Sequence, residues 1–494
     1  MARLLERRIR NNAATACAAI ACLMTACNDK VVIGALYKEA ADGSVTSDAG
    51  EPTLAFDSCP HLPGSPPGIL PLPSAQQVAL QRAELMSFIH FGVTTFDSGT
   101  TTPSAALFDP TNLDVGQWVT EHKKAGIRQI ILAAKHDSGF CLWPSAYTEY
   151  SVKNSPWRNG QGDLVREFVD AMRAEGLRPA LYLYPWDTSY PSSSANYEPY
   201  VRNQLTELLT NYGPIYEIEF PGNDAPSLDW AGIAQLSHQL MPNIIVWMGP
   251  QIATTGVDGR YTLQPSRAMS SIANVPNGGP SNVWYPGEVQ VTDRADNTWF
   301  WNSTTSTIPL SQLQTAYFNS VGRNATLVLN FPPATTGQIE SPDLDLLRQF
   351  GSWYTSLYTT NLVQNGPVTA DTTWSSPGFE PAKVVDGDVC SYWAADSGKT
   401  TGRLEITPPS AMTFNLISIR EPIELGERTT AYHIELKQNG AWNRTPTDVS
   451  GTTMAGTVIG QRQLWQVNPT TAEALALVID SAKGPPAIAE FSVY

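Results

Sequence analysis

Residues 164–184 read LVREFVDAMRAEGLRPALYLY. Leu164 to Gly176 has helical period, and Arg178 to Tyr184 is a short apolar run directly after it. A helix feeding at once into a continuously apolar strand is half of a βαβ unit, whose strand is covered on both faces. The same alternation extends in both directions. Upstream, Ser87 to Val93 (SFIHFGV) is a strand candidate, and the amphipathic Val115 to Ala125 leads into Gln129 to Ala134 (QIILAA). Downstream, Tyr200 to Tyr212 precedes Ile215 to Phe220, and Ile233 to Met241 precedes Ile244 to Met248. Such units continue to about residue 355. That length fits a (β/α)8 barrel, for which ~250 residues is typical, better than an open doubly wound sheet. No Gly-rich dinucleotide fingerprint follows any of the strands, which also weighs against the open sheet. The expected fold class is therefore α/β, with a barrel over residues 71–358.

After Asn361 the texture changes. Thr413–Ile419, Tyr432–Lys437 and Leu475–Ile479 read as strands between Gly, Pro and Asn turns, predicting a β-sandwich over residues 361–494. At the other end, Arg3, Arg7, Arg8 and Arg10 precede an apolar run from Ala13 to Leu23 that is too short for a permanent membrane span. The run ends in Met24-Thr25-Ala26-Cys27, which resembles a bacterial lipoprotein processing box. Residues 1–26 are expected to be a signal peptide, Cys27 the lipidated residue and residues 27–70 a tether. An ordinary signal with an incidental cysteine is the alternative. The expected location is outside the cytoplasm, facing periplasm or cell surface, with membrane contact only through the lipid.

Composition narrows the ligand. The 494 residues carry a net charge of −15, and because residues 1–26 hold four Arg and one Glu, the remainder carries −18. Such a chain does not attract a polyanion through its overall field, so nucleic acid is not an expected partner. Charged residues are only 16%, beside 14 Trp and 18 Tyr, a balance suited to stacking on uncharged sugar. Beyond the signal and Cys27, three cysteines remain (Cys59, Cys141 and Cys390), and three cannot all pair within one chain. No CxxC spacing points to zinc, and glycoside cleavage needs only carboxylates and water, so neither metal nor organic cofactor is expected.

Barrel sites lie at the C-terminal ends of the strands. The polar and aromatic residues there are His90, Lys135, His136, Asp137, Tyr184, Trp186, Asp187, Glu219, Asp224 and Asp258, with Trp143 nearby. Histidines, aromatic rings and carboxylates on one rim suit a sugar site, where a carboxylate pair cleaves the glycosidic bond. Each residue alone has a plainer reading: a histidine satisfied within the structure, Asp224 as a helix cap, Glu219 in a buried ion pair.

At this point the chain resembles a known family. Phe88-Ile-His-Phe-Gly92, Phe108-Asp-Pro-Thr-Asn112, Lys135-His-Asp-Ser-Gly-Phe-Cys-Leu-Trp-Pro-Ser145 and Tyr184-Pro-Trp-Asp187 resemble glycoside hydrolase family 29, the α-L-fucosidases. Trp284-Tyr-Pro-Gly-Glu288, Trp299-Phe300 and Leu329-Asn-Phe-Pro-Pro333 continue the likeness in order. Val385-Asp-Gly-Asp388, Tyr392-Trp393 and Glu421 to Arg428 resemble the discoidin-like (F5/8 type C) sandwich attached to its α-1,3/1,4-fucosidase branch. The resemblance implies a retaining hydrolase with an Asp nucleophile ending the fourth strand, a Glu acid/base and histidines gripping fucose. It makes His90 and His136 sugar ligands, and Trp143, Tyr184 and Trp299 are expected beside them.

The departures fall at the chemistry. The family's Trp-Phe-Asp-Gly reads Glu219-Phe220-Pro221-Gly222 here, placing proline where the nucleophile belongs. Asp137 stands for a second histidine, and Asp258 for the acid/base Glu. Glu219 shares the strand face of residue 221 but sits ~6.6 Å deeper. Asp224 lies just beyond. Asp224 and Glu219 are thus the candidate nucleophiles, with Asp258 and Glu288 as candidate acid/bases, and inversion through water is a further route. The expected function is hydrolysis of terminal fucose from fucosylated oligosaccharides or glycoconjugates. The alternatives are a catalytically degenerate glycan-binding lipoprotein, or a glycosidase of altered sugar specificity.

Overall fold

The computed structural model describes residues 59–220, 228–248, 284 and 286–494, with strand backbone also at Tyr37–Glu39, Val45–Ser47, Pro52–Thr53 and Ala253–Thr255. The chain divides into two compact units, residues 1–55 and 56–494. Within the first, Tyr37–Glu39, Val45–Ser47 and Pro52–Thr53 form a small antiparallel sheet.

The second unit begins its α/β part with helix α1 (Ala75–Ala83) and strand β1 (Leu85–Ile89), followed by α2 (Val115–Lys124) and β2 (Gln129–Lys135). Next come α3 (Leu164–Ala174), β3 (Arg178–Leu183), α4 (Tyr197–Asn211), β4 (Glu217–Phe220), α5 (Trp230–Leu240) and β5 (Ile245–Met248). Strands β6 (Ala253–Thr255), β7 (Glu288–Thr292) and β8 (Thr326–Asn330) complete it, with α6 (Leu310–Ser320) before β8 and α7 (Asp343–Leu357) after it. The helices start where side chains can satisfy free N–H groups. Asp114 Oδ1 accepts from Gln117 N at 2.8 Å, and Asp163 Oδ1 from Arg166 N at 2.9 Å. Gly126 and Gly176, at φ +91° and +67°, turn the chain out of α2 and α3.

All eight strands form one sheet in the order β5-β4-β3-β2-β1-β8-β7-β6, every neighbouring pair parallel. Side chains alternate across it. Leu85, Ile89, Ile130, Leu132, Leu181, Ile218, Val289 and Leu327 join the core under the helices. Met86, Phe88, Ile131, Ala133, Ala180, Tyr182 and Val328 form a separate cluster on the other face. That face is concave: Gln290 Nε2 on β7 donates to Glu219 Oε1 on β4 at 3.2 Å, although four strands separate the two in the sheet. Chain length demands the curl as well. Five Cα steps link Met248 to Ala253, a reach of at most ~18 Å, whereas the edges of a flat eight-stranded sheet would stand ~34 Å apart.

Residues 368–493 supply the predicted sandwich. One antiparallel sheet runs β9 (Val368–Ala370), β10 (Gly402–Ile406), β15 (Ala474–Ala482), β12 (Thr429–Gln438) and β13 (Ala441–Asn443). The other places β11 (Met412–Arg420) between β14 (Gln463–Ala472) and β16 (Glu490–Val493). Phe414, Ile417, Ile434, Leu477 and Phe491 meet between the two sheets.

The sandwich is joined to the α/β part by buried charge. Glu84, directly after α1, meets Arg420 Nη2 and Arg462 Nη1, each at 2.8 Å, and Arg420 Nε also reaches Glu490 at 3.1 Å. Residues 59–70, expected as part of a free tether, are docked instead. Cys59 forms a disulfide with Cys390, Trp374 Nε1 donates to the Gly64 carbonyl at 2.8 Å, and Ile69 N to the Leu425 carbonyl at 2.8 Å. Cys141 is the remaining thiol among the described residues, and it is buried.

Candidate active site

The C-terminal strand ends converge on two histidines. His90 follows β1 and His136 follows β2, their ring centroids 5.4 Å apart. His136 reaches this face because β2 is irregular. With Ala133 facing inward, regular alternation would turn Lys135 in and His136 out. The register with β3 shifts between Ala133 and Lys135, which exchanges the two. Lys135 consequently points outward, its Nζ 3.3 Å from Asp187 Oδ2 and 2.8 Å from Gln204 Oε1 on α4. Asp187 also accepts from Tyr200 Oη at 2.6 Å and from Ser189. Lys135 and Asp187, expected on the rim, are thus a buried ion pair outside the sheet.

Both histidines have Nδ1 occupied. Asn330 Nδ2 donates to Thr292 Oγ1 at 3.1 Å and to the Trp299 carbonyl at 2.9 Å, so its Oδ1 is oriented to accept from His90 Nδ1 at 2.8 Å. His90 therefore presents Nε2 as an acceptor. Burial, reinforced by the neighbouring His136, pushes its pKa down to about 3, so the ring stays neutral. His136 Nδ1 lies 2.8 Å from Asp137 Oδ1, and that hydrogen bond holds the Asp137 carboxyl below its usual range. Aromatic rings surround the pair. His136 lies parallel to Tyr182 and Tyr184 at 5.6 and 5.3 Å, Trp299 is 5.2 Å from His90, and Phe300 edges both histidines. Two oriented imidazoles inside an aromatic wall can grip hydroxyls while the rings cover C–H faces.

Of the expected site residues, His90, His136, Tyr184 and Trp299 come together here. Trp143 does not: it is buried in the core under the helices, and its Nε1 donates to Glu207 Oε2 at 2.9 Å. Tyr182, Phe300 and Asn330 were not anticipated, although Tyr182 lies two residues before Tyr184 on the same strand face and Asn330 falls within the Leu329–Pro333 motif. Asp224 and Asp258 lie outside the described residues, as does Pro221.

Glu219 and Glu288 occupy a deeper layer. Both are buried, and both face Gln290 Nε2, at 3.2 and 3.4 Å. Glu288 opens β7, at the strand end opposite the histidines, and Glu217 lies nearby with Gln129 donating to it. Burial raises the pKa of all three carboxyls, that of Glu288 to about 7. In the unfolded chain such groups ionise near 4.3, so between there and pH 7 the folded state holds more protons and stability falls as pH rises. Glu288→Gln is expected to remove about 3 kcal/mol of this penalty at pH 8 and almost none at pH 4. Denaturant titrations of both proteins at the two pH values test this; a gain equal at both would assign the effect to packing instead.

Among the described residues, no group of three or more His, Cys, Asp or Glu side chains is arranged to hold a metal ion. The described residues thus form a curled α/β sheet with a histidine- and aromatic-lined mouth, followed by a β-sandwich. Residues 83–357 match the family Alpha-L-fucosidase, and residues 367–491 match the F5/8 type C domain. The chain belongs to the alpha-L-fucosidase family. It is 34% identical to Alpha-L-fucosidase 1 of Arabidopsis thaliana, the alignment covering 86% of this chain and 88% of that one. Among solved structures, it resembles a glycoside hydrolase 29 family member from an unknown rumen bacterium with TM-score 0.72 and 32% identity, over 87% and 78% of the two chains. A Ruminococcus gnavus GH29 fucosidase in complex with fucose matches with TM-score 0.75 and 25% identity, over 88% and 97%.

Proposed function

We propose that this chain removes terminal α-L-fucose from fucosylated oligosaccharides or glycoconjugates, at the mouth of a sheet that closes into a (β/α)8 barrel. The observation that carries the reading is the His90–His136 pair, each ring fixed through Nδ1 and enclosed by Tyr182, Tyr184, Trp299 and Phe300. With Pro221 at the family's nucleophile position, Asp224 is assigned as the nucleophile and Asp258 as acid/base. Glu219 is buried with its pKa raised, which makes it a poor nucleophile, and Glu288 opens β7 at the strand end opposite the histidines, away from a sugar held there; both facts favour that choice. The likeness of Glu421–Arg428 and of the sandwich supports the α-1,3/1,4 branch. Cys27 is assigned as the lipidated residue of an exported protein.

Release of L-fucose from an aryl α-L-fucoside and from fucosylated oligosaccharides by the purified chain tests the activity. Asp224→Ala is expected to abolish turnover, while Glu219→Ala leaves it measurable. Loss of turnover in Glu219→Ala but not in Asp224→Ala would reverse the assignment. Proline at position 221 also favours a second reading, a glycan-binding protein without catalysis. Fucoside binding with no release by the unaltered chain would select it.

A further inference from the structure

The outer flank of α6 faces the sandwich across a cavity of about 390 Å³. Leu313, Ala316, Tyr317 and Ser320 of this helix pack inward, so the stripe carrying Gln314 and Phe318 is left for the cavity. Trp353 of α7 stands beside Phe318, ring centroids 5.9 Å apart and planes at 78°, which makes an aromatic corner. The opposite wall comes from the sandwich, with Asp448 on the loop between β13 and β14 and Gln466 on β14.

Polar groups in this cavity are fixed but incompletely used. Arg323, just after α6, has its guanidinium 5.0 Å from the Trp465 ring. Its Nε is buried without a partner, and among the described residues it forms no ion pair. Burial holds its pKa below the usual arginine value, and the field of Asp448 opposes that fall. Asp448 Oδ1 accepts from Ser450 N and Thr452 N, each at 2.9 Å, and from Ser450 Oγ at 2.6 Å, while Oδ2 takes no part in these bonds. A guanidinium, a carboxylate oxygen and three amides, those of Gln314, Asn319 and Gln466, therefore line a space bounded by two rings.

We propose that this cavity is a second saccharide site that takes a neutral pyranose unit of a glycan. An aromatic corner suits the C–H faces of a sugar ring, and planar Arg, Asp and Gln groups suit its hydroxyls. The volume lies within the ~300–1,000 Å³ of small-molecule sites. An anionic ligand would meet Asp448, and a purely apolar one would bury Arg323 and Asp448 without partners. α6 and the sheet separate this cavity from the histidine-lined mouth, so the two sites bind independently, and this site does not depend on the chain hydrolysing fucosides.

Saturation-transfer NMR and calorimetry with lactose and N-acetyllactosamine, two fucose-free probes, test the site. At least one probe is expected to bind the unaltered chain equally well with and without saturating L-fucose, and equally well in His90→Ala. Affinity is expected to fall at least tenfold in Trp353→Ala and in Asp448→Asn, with Trp353→Phe retaining most of it. Thermal melts matching the unaltered chain exclude misfolding as the cause. Absence of binding by either probe, displacement by L-fucose, or undiminished affinity in both Trp353→Ala and Asp448→Asn would overturn the proposal.

Discussion

Replacing His90 with alanine is expected to lower kcat/KM for fucoside hydrolysis by ~10²- to 10³-fold, the scale of losing one preorganised polar contact in a water-poor site. The imidazole is buried and neutral, with a pKa near 3, so its contribution is an oriented acceptor and not a charge. Its removal also leaves Asn330 Oδ1 without the Nδ1–H it accepts from, so the loss spans two groups. Asn330→Asp separates orientation from charge. A carboxylate at that position would raise the His90 pKa and convert Nε2 from acceptor to donor over part of the acidic range. The variant should therefore gain an acid limb in kcat/KM that the unaltered chain lacks above about pH 4. Kinetics unchanged in His90→Ala would remove this histidine from the site.

The second large effect concerns stability. Glu84→Gln is expected to destabilise the protein by ~3–5 kcal/mol, because two nearly buried guanidinium groups, Arg420 and Arg462, lose the carboxylate between them. Arg420 keeps Glu490, so Arg462 suffers most; it is left with the hydroxyl of Tyr317 and the ring of Tyr358. All of these lie where the α/β part meets the sandwich, so denaturation of the variant should resolve into two transitions, one for each part. A single transition with the midpoint of the unaltered chain would mean that apolar packing alone holds the joint.

The sequence made the repeating units visible for a physical reason. α3 carries an apolar stripe, an aspartate cap and a terminal glycine, and β3 is apolar on both faces because helices and the concave interior cover it. β2 was equally clear as a strand, yet its side-chain directions were not, since one register shift with β3 turned Lys135 out and His136 in. That shift is a property of pairing, not of local composition. For the same reason Lys135 and Asp187 looked like rim residues and are a buried pair. Trp143 falls in a motif shared with sugar-handling relatives, but its indole is bound to Glu207 on α4, a contact 64 residues away in sequence. Glu219 and Glu288 read as carboxylates near chemistry; their depth follows from the curl of the sheet, which brings β4 and β7 together. His90 was legible because it ends an unambiguous strand. Its partner Asn330, 240 residues later, required the fold.

The Cys59–Cys390 bond also has a topological consequence. It turns the whole α/β part and the start of the sandwich into one covalent ring. A protease cutting any connection inside that ring opens it without releasing a fragment. The nicked molecule would migrate as one piece on a non-reducing gel and separate only after reduction.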